Sequence, residues 1–315
     1  MVSVASQGAR REVELGMLLM TLAMLLFPIS DALAKFLTAT LTPVQITAAR
    51  FLLQSLVLLP VLLIYKGGRL PAPGVRHLVL GALIALAVIC LFSGLHHLPL
   101  ANNTALFFIE PLLLTLISAL ALRESVSLRQ WIAVVIGLVG ALIVLRPNWA
   151  AYGPAAIFPV AAGAFFAGFL ALTRVVGGRD DALTLAFWTG AAAALVLVLI
   201  MGLGLLVEGR PIGPPSPPAL GLWPLLLGVG AIAAATNVLT ALALRRAGAG
   251  VLAPFQYLEI LSATLLGWLI FSEIPDRLTG LGAAIIVGSG LYVFTQQGRR
   301  SDPRSERHRS QSPGR

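Results

Sequence analysis

Charge is what this 315-residue chain has least of: Asp, Glu, Lys and Arg make up 11% of it, against about 25% in a soluble domain. A water-facing surface cannot be built from so few charges, which excludes a soluble globule. Lysine is scarcer still, present only as Lys35 and Lys66. Neither follows a glycine or precedes Ser or Thr as a phosphate-cradling loop requires, so ATP-driven pumping by this chain alone is excluded. Cys90 is the single cysteine; it can close no internal disulfide and does not fix a redox compartment. HExxH and GxSxG are also missing. Gly228, Gly230 and Ala233 fit GxGxxA formally, but no strand precedes them, and close helix packing through small residues accounts for them.

What is present is apolar. Hydrophobic residues make up 58%, with mean hydropathy +0.92, in runs that approach the roughly 20 residues needed to cross a bilayer. The chain therefore reads as an all-α membrane protein. Hydropathy and turn signals give ten transmembrane helices, over 15–38, 44–65, 76–96, 101–122, 127–146, 154–174, 182–207, 219–244, 249–271 and 277–296. Short connections punctuated by Pro and Gly join them, with no room for an extramembrane domain. Arg10 and Arg11 precede an apolar run containing Ala32-Leu33-Ala34, which resembles a signal-peptidase site. That run is long enough to span, and cleavage would leave the ten spans unable to divide into two equal sets, so it is expected to remain.

Apart from Lys35 and Arg50, the lysines and arginines fall seventeen on one side and three (Arg146, Arg210, Arg277) on the other. The positive-inside rule then places both termini in the cytoplasm, as N-in/C-in. The net charge of +9 is accordingly a topology signal, and no nucleic-acid partner is implied. The tail after Gln297, rich in Arg, Ser and Pro, cannot bury a core, and anchoring to anionic lipid is secondary to its topological role.

The chain also repeats itself. Glu110 is followed fourteen positions on by Glu124, Glu259 fourteen on by Glu273, and the pairs are offset by 149. Small residues approach each first acid (Ala101 and Ala105; Gly250 and Ala253) and an aromatic precedes it (Phe108; Tyr257). A slide of 139 sets Lys35 on Arg174 and Pro43 on Ala182. The expected domains are an N-terminus over 1–14, a first five-helix repeat over 15–147, a linker over 148–153, a second repeat over 154–296, and a tail over 297–315. An odd number of spans per repeat makes the two inverted five-helix repeats, an arrangement of many secondary transporters.

Five ionisable residues fall inside spans: Asp31, Lys35, Arg50, Glu110 and Glu259. Each is costly in hydrocarbon, so each is expected to face a partner or a wet cavity. At about 1.5 Å per residue, Glu110 and Glu259 both reach the bilayer midplane, one from each repeat. Asn103 and Phe107 share the Glu110 face, while Gln256, Ser262 and Ala263 share that of Glu259. Pro111 and Pro254 cannot donate to the carbonyls of Phe107 and Gly250, leaving these for water, a helix or a ligand. The alternative is that each acid merely fastens helices. Asp31 and Arg50, at similar depth on adjacent helices, are expected to form an ion pair, as a structural clamp, a gate or a contact for a substrate carboxylate. Lys35 is expected to snorkel outward, and Thr47, Arg50 and Gln54 make an inward polar stripe.

With all five ionised the buried sum is minus one, which suits a cationic or zwitterionic solute or coupling to a proton. Glu124 and Glu273 read as solvated helix-end charges. His96 and His97, being adjacent, lack ligand spacing, so interface residues are preferred to a metal site. No cofactor is expected.

Pro111, Glu124 and the run Trp131 to Pro147 with Gly137 and Gly140, echoed by Glu273, Gly280 and Gly288, resemble the drug/metabolite transporter superfamily, EamA type. The pattern departs from exact symmetry at Ile260, where the repeat would put a proline, and at Arg123 and Ser272, where glycine is common. The resemblance implies a secondary carrier of the inner membrane for a small-molecule solute such as an amino acid, working by alternating access, with helices five and ten supporting peripheral or homodimer packing. Asp31-Ala32-Leu33-Ala34-Lys35 with Arg50-Phe51 is similar to a subgroup linked to uptake of S-adenosylmethionine or riboflavin. Substrate-binding candidates are thus Glu110, Glu259, Asn103, Phe107, Gln256, Tyr257 and Arg50. The competing classes are a lipid-modifying membrane enzyme, with His96, His97 and Asn102 as its candidates, and a channel.

Overall fold

The computed structural model describes residues 2–70, 72–120, 128–176, 180–207, 218–247, 252 and 255–300. Glu124, Gly250, Ala253 and Pro254 lie outside the described residues, as do Arg123 and Arg210. The described residues hold helices and no strands. Seven helical stretches are long and apolar enough to cross a membrane: Arg11–Leu37, Pro43–Tyr65, Val75–His97, Leu100–Ile117, Gly153–Thr173, Ala182–Gly202 and Leu220–Arg246. Trp131–Val144, Leu258–Phe271 and Arg277–Ser289 are shorter apolar helices.

Helices α1 (Val2–Leu37), α2 (Pro43–Tyr65) and α3 (Val75–His97) run back and forth through the bundle. The α1–α2 turn is set by a capping box: the Thr42 hydroxyl accepts from the Gln45 N–H, the Gln45 side chain accepts from the Thr42 N–H, and Pro43 occupies the first helical position. The fourth span is broken. Helix α4 (Leu100–Phe107) stops and α5 (Glu110–Leu120) starts only after Phe108 and Ile109. Pro111 has no N–H to give the carbonyl of Phe107, so the ladder fails one turn before it.

Helix α6 (Leu128–Tyr152) carries on past Pro147, although Pro147-Asn148 reads as a turn in the sequence. The helix ends instead at Gly153, whose φ of +60° is costly for any residue with a Cβ. A 3₁₀ turn over Gly153–Ala156 leads into α7 (Ile157–Val176), followed by α8 (Ala182–Val207) and α9 (Trp223–Arg246). Then come α10 (Leu258–Phe271) and α11 (Arg277–Arg300), the last running on into the stretch read as tail.

Packing is reciprocal. Helix α1 lies along α9 and α3 along α7, α2 touches α8 and α9, and α3 touches α7 and α8. Helices α6 and α11 pack on each other to one side. A Cβ on Gly282 would lie 2.7 Å from the carbonyl oxygen of Gly140, and one on Gly140 would lie 2.8 Å from Ile285 Cγ2. Backbone approach this close is how helices associate where hydrophobicity distinguishes neither lipid nor protein. The main core cluster, with Phe51, Phe92, Leu100, Leu197, Val229 and Ala263, surrounds a small set of buried polar side chains. Leu18, Leu56, Ile132, Leu142, Leu199 and Leu269 point outward, each more than half exposed, as lipid solvation permits.

Candidate substrate site

Four ionisable side chains from four helices converge inside the bundle. Asp31 on α1, Arg50 on α2, Glu110 at the start of α5 and Glu259 on α10 are each at most 9% exposed. Arg50 feels the charges of Asp31 and Glu259, and Glu259 those of Asp31, Glu110 and Arg50. Tyr257 feels Glu110. In a medium of low dielectric such charges are held only by one another, by dipoles or by a ligand.

The expected Asp31–Arg50 contact is not made: among the described residues Asp31 has no direct ion pair. The guanidinium lies among the rings of Phe51, Phe92 and Phe27, with centroids at 5.2, 5.9 and 6.0 Å. It shares its field between two carboxylates and leaves its Nε without a hydrogen-bond partner. A planar cation suits such an aromatic enclosure. Gln54 Oε1, Ser55 Oγ and Ser30 Oγ are likewise buried and unpartnered. Ser262, one turn from Glu259, donates to the Leu25 carbonyl at 3.3 Å.

The break in the fourth span positions Glu110. Gly163 of α7 lies against it, so close that a Cβ there would be 2.8 Å from the Phe107 carbonyl oxygen and 3.5 Å from the Glu110 nitrogen. On the other half, Tyr257 immediately precedes α10, two residues before Glu259. The rings of Phe108 and Tyr257, matched by the internal repeat, meet at 5.5 Å. Phe107 lies tilted against Phe166 at 5.5 Å, and Phe166 stacks on Phe169 at 5.8 Å. Sequence reasoning singled out neither of these α7 aromatics, although the run Gly163-Ala-Phe-Phe-Ala-Gly168 could have drawn attention to them. Gln256 is half-buried beside Tyr257. Asn103 turns elsewhere: its amide donates to the Leu91 carbonyl of α3 at 3.2 Å, against the bare Cα of Gly94.

Lys35 does not snorkel to water. Its ammonium bonds the carboxylate of Glu273 and the Leu98 carbonyl at 2.9 Å, and lies 4.9 Å from the Phe271 ring centre. Glu273 is correspondingly no solvated helix-end charge, because its second oxygen accepts the Leu100 N–H at 2.9 Å. His96 Nδ1 lies 2.9 Å from the Thr38 carbonyl oxygen, which can only accept, so that nitrogen carries the proton.

A second set of ion pairs closes the opposite end of the bundle. Lys66 lies 2.5 Å from Asp181 and Arg76 2.7 Å from Asp180, and His77 Nε2 adds a hydrogen bond to Asp180 at 3.1 Å. His77 Nδ1 accepts the Gly74 N–H, so its proton is on Nε2, facing the carboxylate. The hydrogen bond to Asp181 raises the Lys66 pKa. Partial burial pushes the Asp181 carboxyl up, but hydrogen bonds from Lys66 and Thr184 outweigh it and hold the group below the usual range.

A bundle of apolar helices folded around a small buried charged cluster fits a membrane transporter. The chain belongs to the EamA-like transporter family, whose model matches residues 14–146 and 153–295. It is similar to the pseudopaline exporter of Pseudomonas aeruginosa, 30% identical over 274 residues, which cover 86% of this chain and 93% of that protein. It is similar also to the S-adenosylmethionine uptake transporter of Rickettsia prowazekii, 24% identical over 90% of this chain and 92% of that one. With the riboflavin transporter of Vibrio cholerae it shares 29% identity over 67% of this chain and 68% of that one. One solved crystal structure superposes with a TM-score of 0.61 at 22% identity, over 90% of this chain and 98% of the other, which speaks to fold alone. The chain is a multi-pass membrane transporter of small-molecule solutes and not an enzyme.

Proposed function

We propose that the protein is a secondary carrier of the cytoplasmic (inner) membrane that moves a cationic or zwitterionic organic metabolite by alternating access. It crosses the membrane ten times as two inverted repeats, with both termini cytoplasmic. Seven long and three shorter apolar helices and the exchange of partners between halves (α1 with α9, α3 with α7) support that architecture. The observation that carries the reading is the convergence of Asp31, Arg50, Glu110 and Glu259 in one buried cluster.

In this reading Glu110 and Glu259 hold the cationic part of the solute and Arg50 its carboxylate. Tyr257, Phe107 and Gln256 wall the path, and Asn103 fixes the wall to α3. Asp31 tunes the charge around Arg50. The test is transport in proteoliposomes: Glu110→Gln and Glu259→Gln should each abolish flux while leaving the melting temperature near that of the parent. Parent-level flux in both would remove the site. A narrower reading, uptake of a solute with a planar ring such as S-adenosylmethionine or riboflavin, is favoured by the Phe107–Phe166–Phe169 row and by the names of two relatives. A thermal-shift screen with these compounds decides it, since a ligand that binds only the folded state raises its stability.

A further inference from the structure

Helix α4 begins without a cap of its own. Its N-cap residue is Pro99, which makes no side-chain capping hydrogen bond, so the first backbone N–H groups need acceptors from elsewhere. The acceptor for Leu100 comes from the other half of the chain: Glu273, just beyond the end of α10, takes its N–H at 2.9 Å. The same carboxylate is bound by Lys35 at the end of α1, and Lys35 also donates to the Leu98 carbonyl in the α3–α4 turn. Three segments are thereby tied at one mouth of the bundle through two side chains, 14% and 21% exposed. The fit is close around them: Ser272 takes a left-handed φ of +55°, the Phe36 and Phe271 rings meet tilted at 4.8 Å, and Gly267 leaves room for Leu100 and Glu273. Two of the tied helices lead to the buried carboxylates, α4 toward Glu110 and α10 to Glu259.

We propose that Glu273 is a positioning residue, acting with Lys35 as a latch across this mouth, so that opening the mouth and releasing the helix that leads to Glu110 are one event. The latch must part for solute to pass on this side, and when it closes, the Glu273 carboxylate caps α4 and resets the site. The inference rests on the transporter reading but not on which solute is carried or in which direction.

The test separates latch from cap. In a Cys90→Ala background, a single cysteine is placed at Ala101, a buried position in the first turn of α4, and its modification by a membrane-impermeant thiosulfonate is timed in vesicles of both orientations. Lys35→Met and Glu273→Gln should each speed labelling from one side roughly tenfold or more, the scale of a lost charge-assisted contact. Lys35→Arg should leave it slow. Hydrogen exchange reads the cap: amides of Leu100 to Asn103 should exchange faster in Lys35→Met, because the mouth opens more often, and faster again, by roughly tenfold or more over the parent, in Glu273→Leu, which also lacks the acceptor. Labelling within twofold of the parent in both Lys35→Met and Glu273→Gln, with melting temperature unchanged, would overturn the latch. Unchanged exchange in Glu273→Leu would overturn the positioning role. Neither readout needs a known solute, so loss of the substrate assignment leaves both intact.

Discussion

The substitution Gly163→Ala is one methyl group aimed at the hinge of the site. A Cβ at 163 would lie 2.8 Å from the Phe107 carbonyl oxygen and 3.1 Å from Ile109 Cγ2. The first contact is with backbone, which cannot rotate out of the way, so the broken helix must retreat by about half an ångström to reach normal contact distance. Overpacking of this kind costs about 1–3 kcal/mol, and alanine returns about 1 kcal/mol as a better helix former than glycine. The net loss of stability is therefore about 0–2 kcal/mol. The functional loss should be larger, because the displaced segment ends at Glu110, and reacting or binding groups moved by a fraction of an ångström lose efficiency steeply. Gly168→Ala, five residues along the same helix, meets nothing within 4 Å and should raise stability by about 1 kcal/mol or less. The assay is paired: melting temperature in detergent and initial flux in proteoliposomes for both variants. Parent-level flux in Gly163→Ala, or an equal fall in melting temperature in Gly168→Ala, would refute the idea that Gly163 seats the break.

Arg50→Gln should abolish binding of carboxylate-bearing solutes while sparing purely cationic ones, as read by thermal shift; equal loss for both classes would mean that the arginine is structural. If a proton is carried through the acids, Glu110→Gln or Glu259→Gln should remove the pH dependence of flux, measured with an imposed gradient. At the other end of the bundle the Asp181 carboxyl is held below its ordinary value. Its contribution to stability is therefore complete above about pH 4 and lost as pH falls through the depressed folded value. Asp181→Asn should flatten that part of an acid melting profile, and an unaltered profile would show that the Lys66 contact does not contribute.

Burial was legible in the sequence and azimuth was not. The equal spacing of Glu110 and Glu259 within their repeats marked both as interior, and both are buried. Pro111 signalled the interrupted helix. Asp31 and Arg50 were matched because hydropathy puts them at similar depth, but depth does not say which way a side chain faces, and Arg50 turned into an aromatic enclosure. Lys35 finds its partner 238 residues away, beyond any local pattern. Asn103 shows the limit most clearly: seven residues before Glu110, it should share its face, but the break at Phe108 and Ile109 interrupts the helical period, and the amide turned to α3 instead.

The exchange of neighbours across the bundle, in which α1 finds its long contact on α9 and α3 on α7, bears on ancestry. Neither half owns a finished interior; each is lined by what the other supplies. A forerunner encoding a single set of helices could have been sound only in company, as two identical polypeptides embracing, and the turn at Gly153 would be the later weld between them.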